Sequence, residues 1–334
     1  MRLGVSPYGA DRAATLAFAD AAVAAGLDTL WLGDGMFRRP DFAGWRGGLE
    51  SLTELAWLAG RFPAVRVGIT AAVLPLRDVD WLAREANTLD HLTEGRFVLG
   101  VAAGFWPDEL THRGIDPARR GAELRHRLAL LRRHLAAPDT PGTPDGPGTP
   151  DTPDRPGTPG TPGTPDRPGT PDRPGTTETP DAPDTPDGPD APVDRLSPAP
   201  FTPGGPPVWL AGGEPTRRLA LAEGLPFQAS RARPDELAPV ARRWFDEGGG
   251  LLAHRIYVEA TGPGSGSAGA APDGVEVRRH VLAGSAAALV DGLARFRAMG
   301  VGDLSMVLGH DDATARGTLA TLAADVLPQL GSAI

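Results

Sequence analysis

The chain contains no cysteine, and all 33 of its basic residues are arginine, so it has no lysine either. Without cysteine there is no disulfide, no thiol nucleophile and no thiolate-ligated zinc. Without lysine there is no Schiff base, no lysine-bound pyridoxal phosphate and no Walker A phosphate site, because each of these needs a side-chain amine. The seven histidines include no HExxH pair, and His126 and His134 are two turns apart on one expected helix, so no metal centre is expected. No run of about 18 apolar residues suggests a membrane span, and MRLGVSPYGADRAA lacks the apolar core of a signal peptide. The expectation is a soluble, cytoplasmic protein.

A second absence is local. Between Pro138 and Pro192 there is no Leu, Ile, Val, Met or aromatic residue, so this stretch cannot bury a core. Proline occupies 18 of 19 positions at a spacing of three, with Thr177 the one miss. Polyproline II has about three residues per turn, so the rings would share one face. One reading is a docking site for an aromatic groove. The other is an expanded repeat in a tolerant surface loop, extended or disordered; it is preferred because closure entropy grows slowly with loop length. The formal charge is −9, and residues 138–195 alone contribute eleven Asp, one Glu and four Arg. The remainder is nearly neutral, with no electrostatic footprint for nucleic acid or an anionic membrane. The organisation expected is 1–137 as the first half of a domain, 138–200 as the insertion and 201–334 as the second half.

Outside the insertion, short apolar runs alternate with helical patterns. Strands are expected at Arg2–Ser6, Thr29–Gly33, Val65–Leu74, Arg96–Val101, Pro207–Ala211, Phe227–Ser230, Leu251–Val258 and Asp303–Leu308. A helix is expected after each, save that the Gly/Ala/Ser stretch after the seventh strand is a loop and Ser285–Met299 supplies the missing helix. Eight such units argue for an α/β fold of one (β/α)8 TIM barrel with the Pro-rich insertion after the fourth helix. Functional groups of a barrel gather where strands end. Those ends carry Ser6 and Tyr8, Asp34, Thr70 and Ala71, Gly104 to Glu109, Gly212 to Thr216, Gln228 to Arg233, Glu259, and His310 with Asp311. No familiar catalytic set emerges from their spacing. A glycine-rich, reactive-poor face suits close approach of a large flat ligand, with a cofactor carrying the chemistry. The stretch Gly212-Gly213-Glu214-Pro215-Thr216 fits: free backbone N–H groups at a helix start suit a phosphate, although an ordinary strand-to-helix turn would read the same way.

Five segments together, TLDHLTEGRFVLGVAAG (88–104), GITAAVLPLRD (68–78), GLDTLWLGD (26–34), PPVWLAGG (206–213) and AMGVGDLSMVL (298–308), resemble the bacterial luciferase-like monooxygenases. The resemblance runs in order along nearly the whole chain except the insertion. It implies an α/β barrel that uses reduced flavin mononucleotide (FMN) and dioxygen on a small organic substrate, or alternatively the deazaflavin coenzyme F-420. It also leaves room for a non-catalytic flavin-binding relative. By position it implies a non-proline cis peptide at Thr70-Ala71 behind the ring, clearance at Ala103 and Gly104, and a phosphate turn at Gly212, Gly213 and Thr216. A phosphate-pairing arginine is implied at Arg120, with Arg119 equally near. Asp34, Glu109 and His310 are the expected proton-transfer groups. Trp31, Met36, Phe37 and Trp106 are expected either to wall the pocket or to pack the barrel. Two departures stand out: many relatives carry histidine after Gly33-Asp34, where this chain has Gly35, and the luciferases carry a phosphate-holding arginine near Ala102 to Trp106. The partners implied are the small-molecule substrate, a separate flavin reductase and a second copy of the chain.

Overall fold

The computed structural model describes residues 1–7, 11–37, 48–136, 196–261, 281–309 and 311–331. The proline ladder and His310 lie outside the described residues. In chain order the elements are β1 (Arg2–Val5), α1 (Arg12–Ala24), β2 (Thr29–Leu32), α2 (Ser51–Arg61), β3 (Arg66–Val73), α3 (Val79–Leu92), β4 (Phe97–Ala102), α4 (Pro107–His112) and α5 (Arg120–Leu135). Beyond the insertion come β5 (Val208–Ala211), α6 (Glu214–Glu223), β6 (Phe227–Ser230), α7 (Pro234–Asp246), β7 (Leu252–Ala260), β8 (Val281–Gly284), α8 (Ala286–Ala298), β9 (Val301–Leu308) and α9 (Asp312–Thr321).

Every pairing is parallel, and the order β6-β5-β4-β3-β2-β1-β9-β7 closes through a β6–β7 pairing into an eight-stranded barrel. The ninth strand, β8, is an addition that the sequence pattern does not reveal. It pairs with the outer half of β7, Tyr257 to Ala260, just beyond the part of β7 held by β6. The strand expected as eighth is therefore β9. Four residues of mixed exposure, VLAG, give too short a pattern to announce a strand.

Local chemistry explains the element boundaries. In α3, Asp78 accepts hydrogen bonds from the backbone N–H of Asp80 and Trp81 at 3.1 and 3.0 Å. Its residues Leu82, Ala83, Ala86 and Leu89 are buried along one stripe. The helix stops at Thr93, where Glu94 (φ 50) and Gly95 (φ 81) adopt left-handed backbone and send the chain into β4. In α5, Leu124, Leu128, Leu131 and Leu135 form the corresponding buried stripe.

The lower barrel is plugged by side chains. Trp31 from β2 and Trp209 from β5 meet there with ring centroids 5.3 Å apart, and both are buried. Trp31 needs glycine on both neighbouring strands: a Cβ on Gly68 would lie 2.2 Å from its ring and one on Gly4 2.4 Å from Nε1. The Arg66 guanidinium lies 5.4 and 5.6 Å from the two ring centroids and pairs with buried Asp303. With the bottom filled, the barrel can open only at the C-terminal ends of its strands.

Candidate active site

A cavity of about 1220 Å³ occupies that C-terminal face. Segments following almost every strand reach its wall, and four of the expected places lie there together: Thr70-Ala71, Ala103-Gly104, Arg120, and the Gly212-Gly213-Thr216 turn. Arg119, the end of a short 3-10 turn, is not among the lining residues, whereas Arg120 is.

At the end of β3 the Thr70–Ala71 peptide is cis. The Thr70 hydroxyl donates to Gln228 Oε1 on β6, and the Gln228 amide nitrogen is buried without a partner among the described residues. Across the cavity, α6 begins at Gly213 with no side chain capping its N–H groups, in contrast to α1, α2, α3, α8 and α9. The uncapped N–H groups and the positive end of the helix dipole thus face the cavity. A Cβ on Gly212 would lie 2.5 Å from Thr216 Oγ1, so only glycine lets this turn close beneath the threonine. Gly104 (φ 94) is likewise in left-handed backbone beside Val73. The next arginines turn away: buried Arg217 pairs with Glu214 and Glu247, and Arg218 pairs with Glu214. Glu214 is thereby held at about 2, chiefly by the Arg217 hydrogen bonds.

The wall from β4 round to β7 is cationic. Arg120 and Arg125 come from α5, Arg231 from the turn after β6, and Arg255 from inside β7. Arg255 lies deep in the barrel with part of its surface on the cavity. It donates to Ser305 Oγ at 3.0 Å and has no carboxylate partner among the described residues. Burial, with Arg231 nearby, pulls its pKa down. Arg231 has left-handed backbone (φ 58), and its guanidinium sits 4.5 Å from the centroid of Phe105 at the cavity mouth.

Two of the expected proton-transfer groups are committed elsewhere. Asp34 lines the cavity, but its oxygens accept from Arg77 at 2.8 and 3.0 Å and from the Val73 N–H at 2.9 Å. It braces β2 to β3. Arg77 also binds Glu50, whose carboxyl burial would raise; the hydrogen bonds from Thr53 and Arg77 outweigh this and bring it to about 2. Glu109 is buried on α4, outside the cavity lining, and its Oε1 accepts from the N–H of Met36 and Phe37 at 2.8 and 3.0 Å. It pins the loop after β2. Of the four aromatic and sulfur side chains expected near the pocket, Trp106 lines it, Trp31 is in the plug beneath, and Met36 and Phe37 are not on its wall.

A family model described as luciferase-like monooxygenase matches residues 2–249. The chain belongs to that family. Within it, a 103-residue stretch is 42% identical to 4-hydroxyprotoasukamycin monooxygenase of Streptomyces nodosus subsp. asukaensis, covering 29% of this chain and 26% of that protein. The aligned part thus spans about a quarter of the length of that curated relative. The fold is similar to the oxygenating constituent of 3,6-diketocamphane monooxygenase of Pseudomonas putida, a type II Baeyer-Villiger monooxygenase solved with FMN. That match has a TM-score of 0.64 at 17% identity and covers 99% of both chains. An F-420-dependent secondary alcohol dehydrogenase, solved with an F-420–acetone adduct, matches with a TM-score of 0.64 at 14% identity over 98% of both chains.

Several cavity residues of this luciferase-like chain escape a reading of its sequence: Arg255 and Tyr257 on β7, Glu54 and Trp57 on α2, and Arg125 on α5. A signal for Arg255 exists. Strands of parallel barrels run apolar on both faces, yet β7 reads LAHRIYVEA, with Arg255, Tyr257 and Glu259 at alternate positions. Because β7 continues past the barrel rim to pair with β8, its cavity residues lie in mid-strand, below the strand end where functional groups are sought.

Proposed function

We propose that this luciferase-like protein binds reduced FMN across the barrel mouth and uses it, with dioxygen, to oxygenate a small organic substrate. The observation that carries the reading is an uncapped, glycine-floored helix start facing Arg120, Arg125 and Arg255, which pair with no acid among the described residues. The donor set fits a flavin phosphate: N–H groups of α6 and the Thr216 hydroxyl for the oxygens, Arg120 and Arg125 for the charge. Thr70, Ala71 and the small residues Ala103 and Gly104 line the same cavity and leave room for a ring. Arg255, a cation with no acid partner among the described residues, would meet the polar, negatively charged part of the reduced ring. When bound, the reduced flavin supplies the two electrons with which one oxygen atom enters the substrate and the other leaves as water. The protein's part is to hold the phosphate, balance charge and exclude water behind Phe105, Trp106 and Arg231.

A second reading keeps the site and replaces FMN by the deazaflavin F-420, with hydride transfer in place of oxygenation. It is favoured by the likeness in fold to the F-420-dependent dehydrogenase. A titration comparing FMN, riboflavin and F-420 separates the readings. FMN is expected to bind at least tenfold more tightly than riboflavin, because only FMN carries the phosphate. Gly212→Ala is expected to remove that margin while the fold persists. Equal binding of FMN and riboflavin would refute the phosphate assignment, and saturable binding of F-420 alone would establish the second reading.

A further inference from the structure

The charges around the cavity are segregated. The arginines Arg120, Arg125, Arg231 and Arg255 belong to β7 and to the segments after β4 and β6. The acids Asp11, Asp34, Glu54 and Asp312 come after β1, β2 and β9, three strands that are neighbours in the barrel. Two of these acids have their work within the protein: Asp11 caps α1 by accepting from the Ala14 N–H at 2.9 Å, and Asp34 is held by Arg77. Asp312 has one oxygen engaged in this way, and Glu54 has neither. Glu54, half-buried on the cavity wall, has no hydrogen-bond or ion-pair partner among the described residues, and burial raises its pKa. Asp312 pairs through Oδ2 with Arg316, while its Oδ1 is buried with no partner among the described residues. Ser6 Oγ, just past the end of β1, is a second buried oxygen without a partner among the described residues. Arg12, the cation on this side of the lining, lies 5.2 Å from the centroid of the Trp57 ring and makes no ion pair with Glu54.

Glu54 therefore presents an unpaired carboxylate on one side of a cavity larger than the roughly 300–1,000 Å³ of ordinary ligand sites, and the unpartnered oxygens of Asp312 and Ser6 lie on that same side. A flavin whose phosphate lies on the β5 side would leave the β1–β2 side for a second molecule. That molecule would bring positive charge and donors to the Glu54 carboxylate, on a side already rich in acids, and an apolar body to cover Leu32, Leu49 and Trp57. We propose that the β1–β2–β9 side of the cavity is the substrate subsite, that it takes a protonated amine on an apolar body, and that Glu54 determines this specificity. The inference rests on the flavin reading for the occupancy of the opposite side.

The test uses the full chain, with and without FMN, and three probes of matched size: 2-phenylethylamine, 2-phenylethanol and phenylacetate. Calorimetric titration is expected to rank the amine at least tenfold above the alcohol, with the acid weakest. Glu54→Gln is expected to reduce the margin of amine over alcohol about tenfold without changing FMN affinity. Equal binding of the three probes to the wild-type chain, or an unchanged margin in Glu54→Gln, would overturn the proposal. Should Glu54→Gln not fold, the wild-type ranking decides alone. A protein that binds FMN but does not distinguish the probes sinks this inference only. A protein that binds no FMN sinks the flavin reading, and the ranking on the protein alone still decides the subsite.

Discussion

At the scale of single residues, the same carboxylate chemistry serves opposite purposes depending on its partner. Asp34 stands at a strand end in the cavity wall, where a general acid or base is sought, yet Arg77 and the Val73 N–H fill its oxygens. Glu54 sits one helix away and has no partner of its own among the described residues. Asp34→Asn should therefore act on stability, since it leaves a largely buried guanidinium half-paired. Chemical denaturation should show a loss of about 3 kcal/mol, with FMN affinity preserved. Lost turnover at undiminished stability would instead make Asp34 a proton-transfer group. The sequence displays both carboxylates equally. It places Asp34 at the mouth but does not show that Arg77, some forty positions away, meets it across β2 and β3. Glu109 is hidden for the same reason: its partners, the N–H groups of Met36 and Phe37, are backbone atoms that no side-chain pattern announces.

At the scale of elements, the capped helices and apolar strands are legible because each is written locally, in a cap residue or a periodic stripe. What is not legible depends on neighbours. β8 exists because β7 overshoots the rim and offers it a free edge. Whether Trp31 walls the pocket or packs the barrel is decided by Gly4 and Gly68 on the flanking strands, which receive it in the plug. β7 also carries His254, wholly buried with its ring nitrogens 3.1 and 2.8 Å from the carbonyl oxygens of Ala229 and Ala232. Burial brings it down to about 4, against the two carbonyl contacts that favour the charged form. An unfolded chain takes up this proton near pH 6.5 and the fold does not until about pH 4. The histidine's contribution is thus fully present above the higher value and is lost as pH falls through the window, by about 3 kcal/mol. Glu50, lowered to about 2, acts only below its ordinary 4.5. Burial-raised Glu54 and Glu85 act in the opposite direction. Melting curves between about pH 7 and 4.5 should therefore show a smaller acid loss for His254→Gln than for the wild-type chain. Identical pH profiles would contradict the buried neutral histidine.

At the scale of the whole molecule, one barrel plugged below by Trp31, Trp209 and the Arg66–Asp303 pair presents a single polarised mouth, arginines on one side and acids on the other. That polarity is assembled from six or more segments, so composition alone, nearly neutral outside the insertion, conceals it. The barrel lines up its elements on either side of the proline ladder, with β4 and β5 adjacent although residues 103–207 separate them. The central claim is that this mouth holds reduced FMN by its phosphate. The most direct measurement is anaerobic fluorescence titration with reduced FMN, run on the full chain and on a chain lacking residues 140–192. Saturable binding of one FMN per chain is expected, competed by inorganic phosphate, with affinities within about twofold of each other for the two chains, because closure entropy grows only slowly with the length of a connection. No saturable binding to the full chain would contradict the flavin site itself, and binding lost only in the shortened chain would make the ladder part of it.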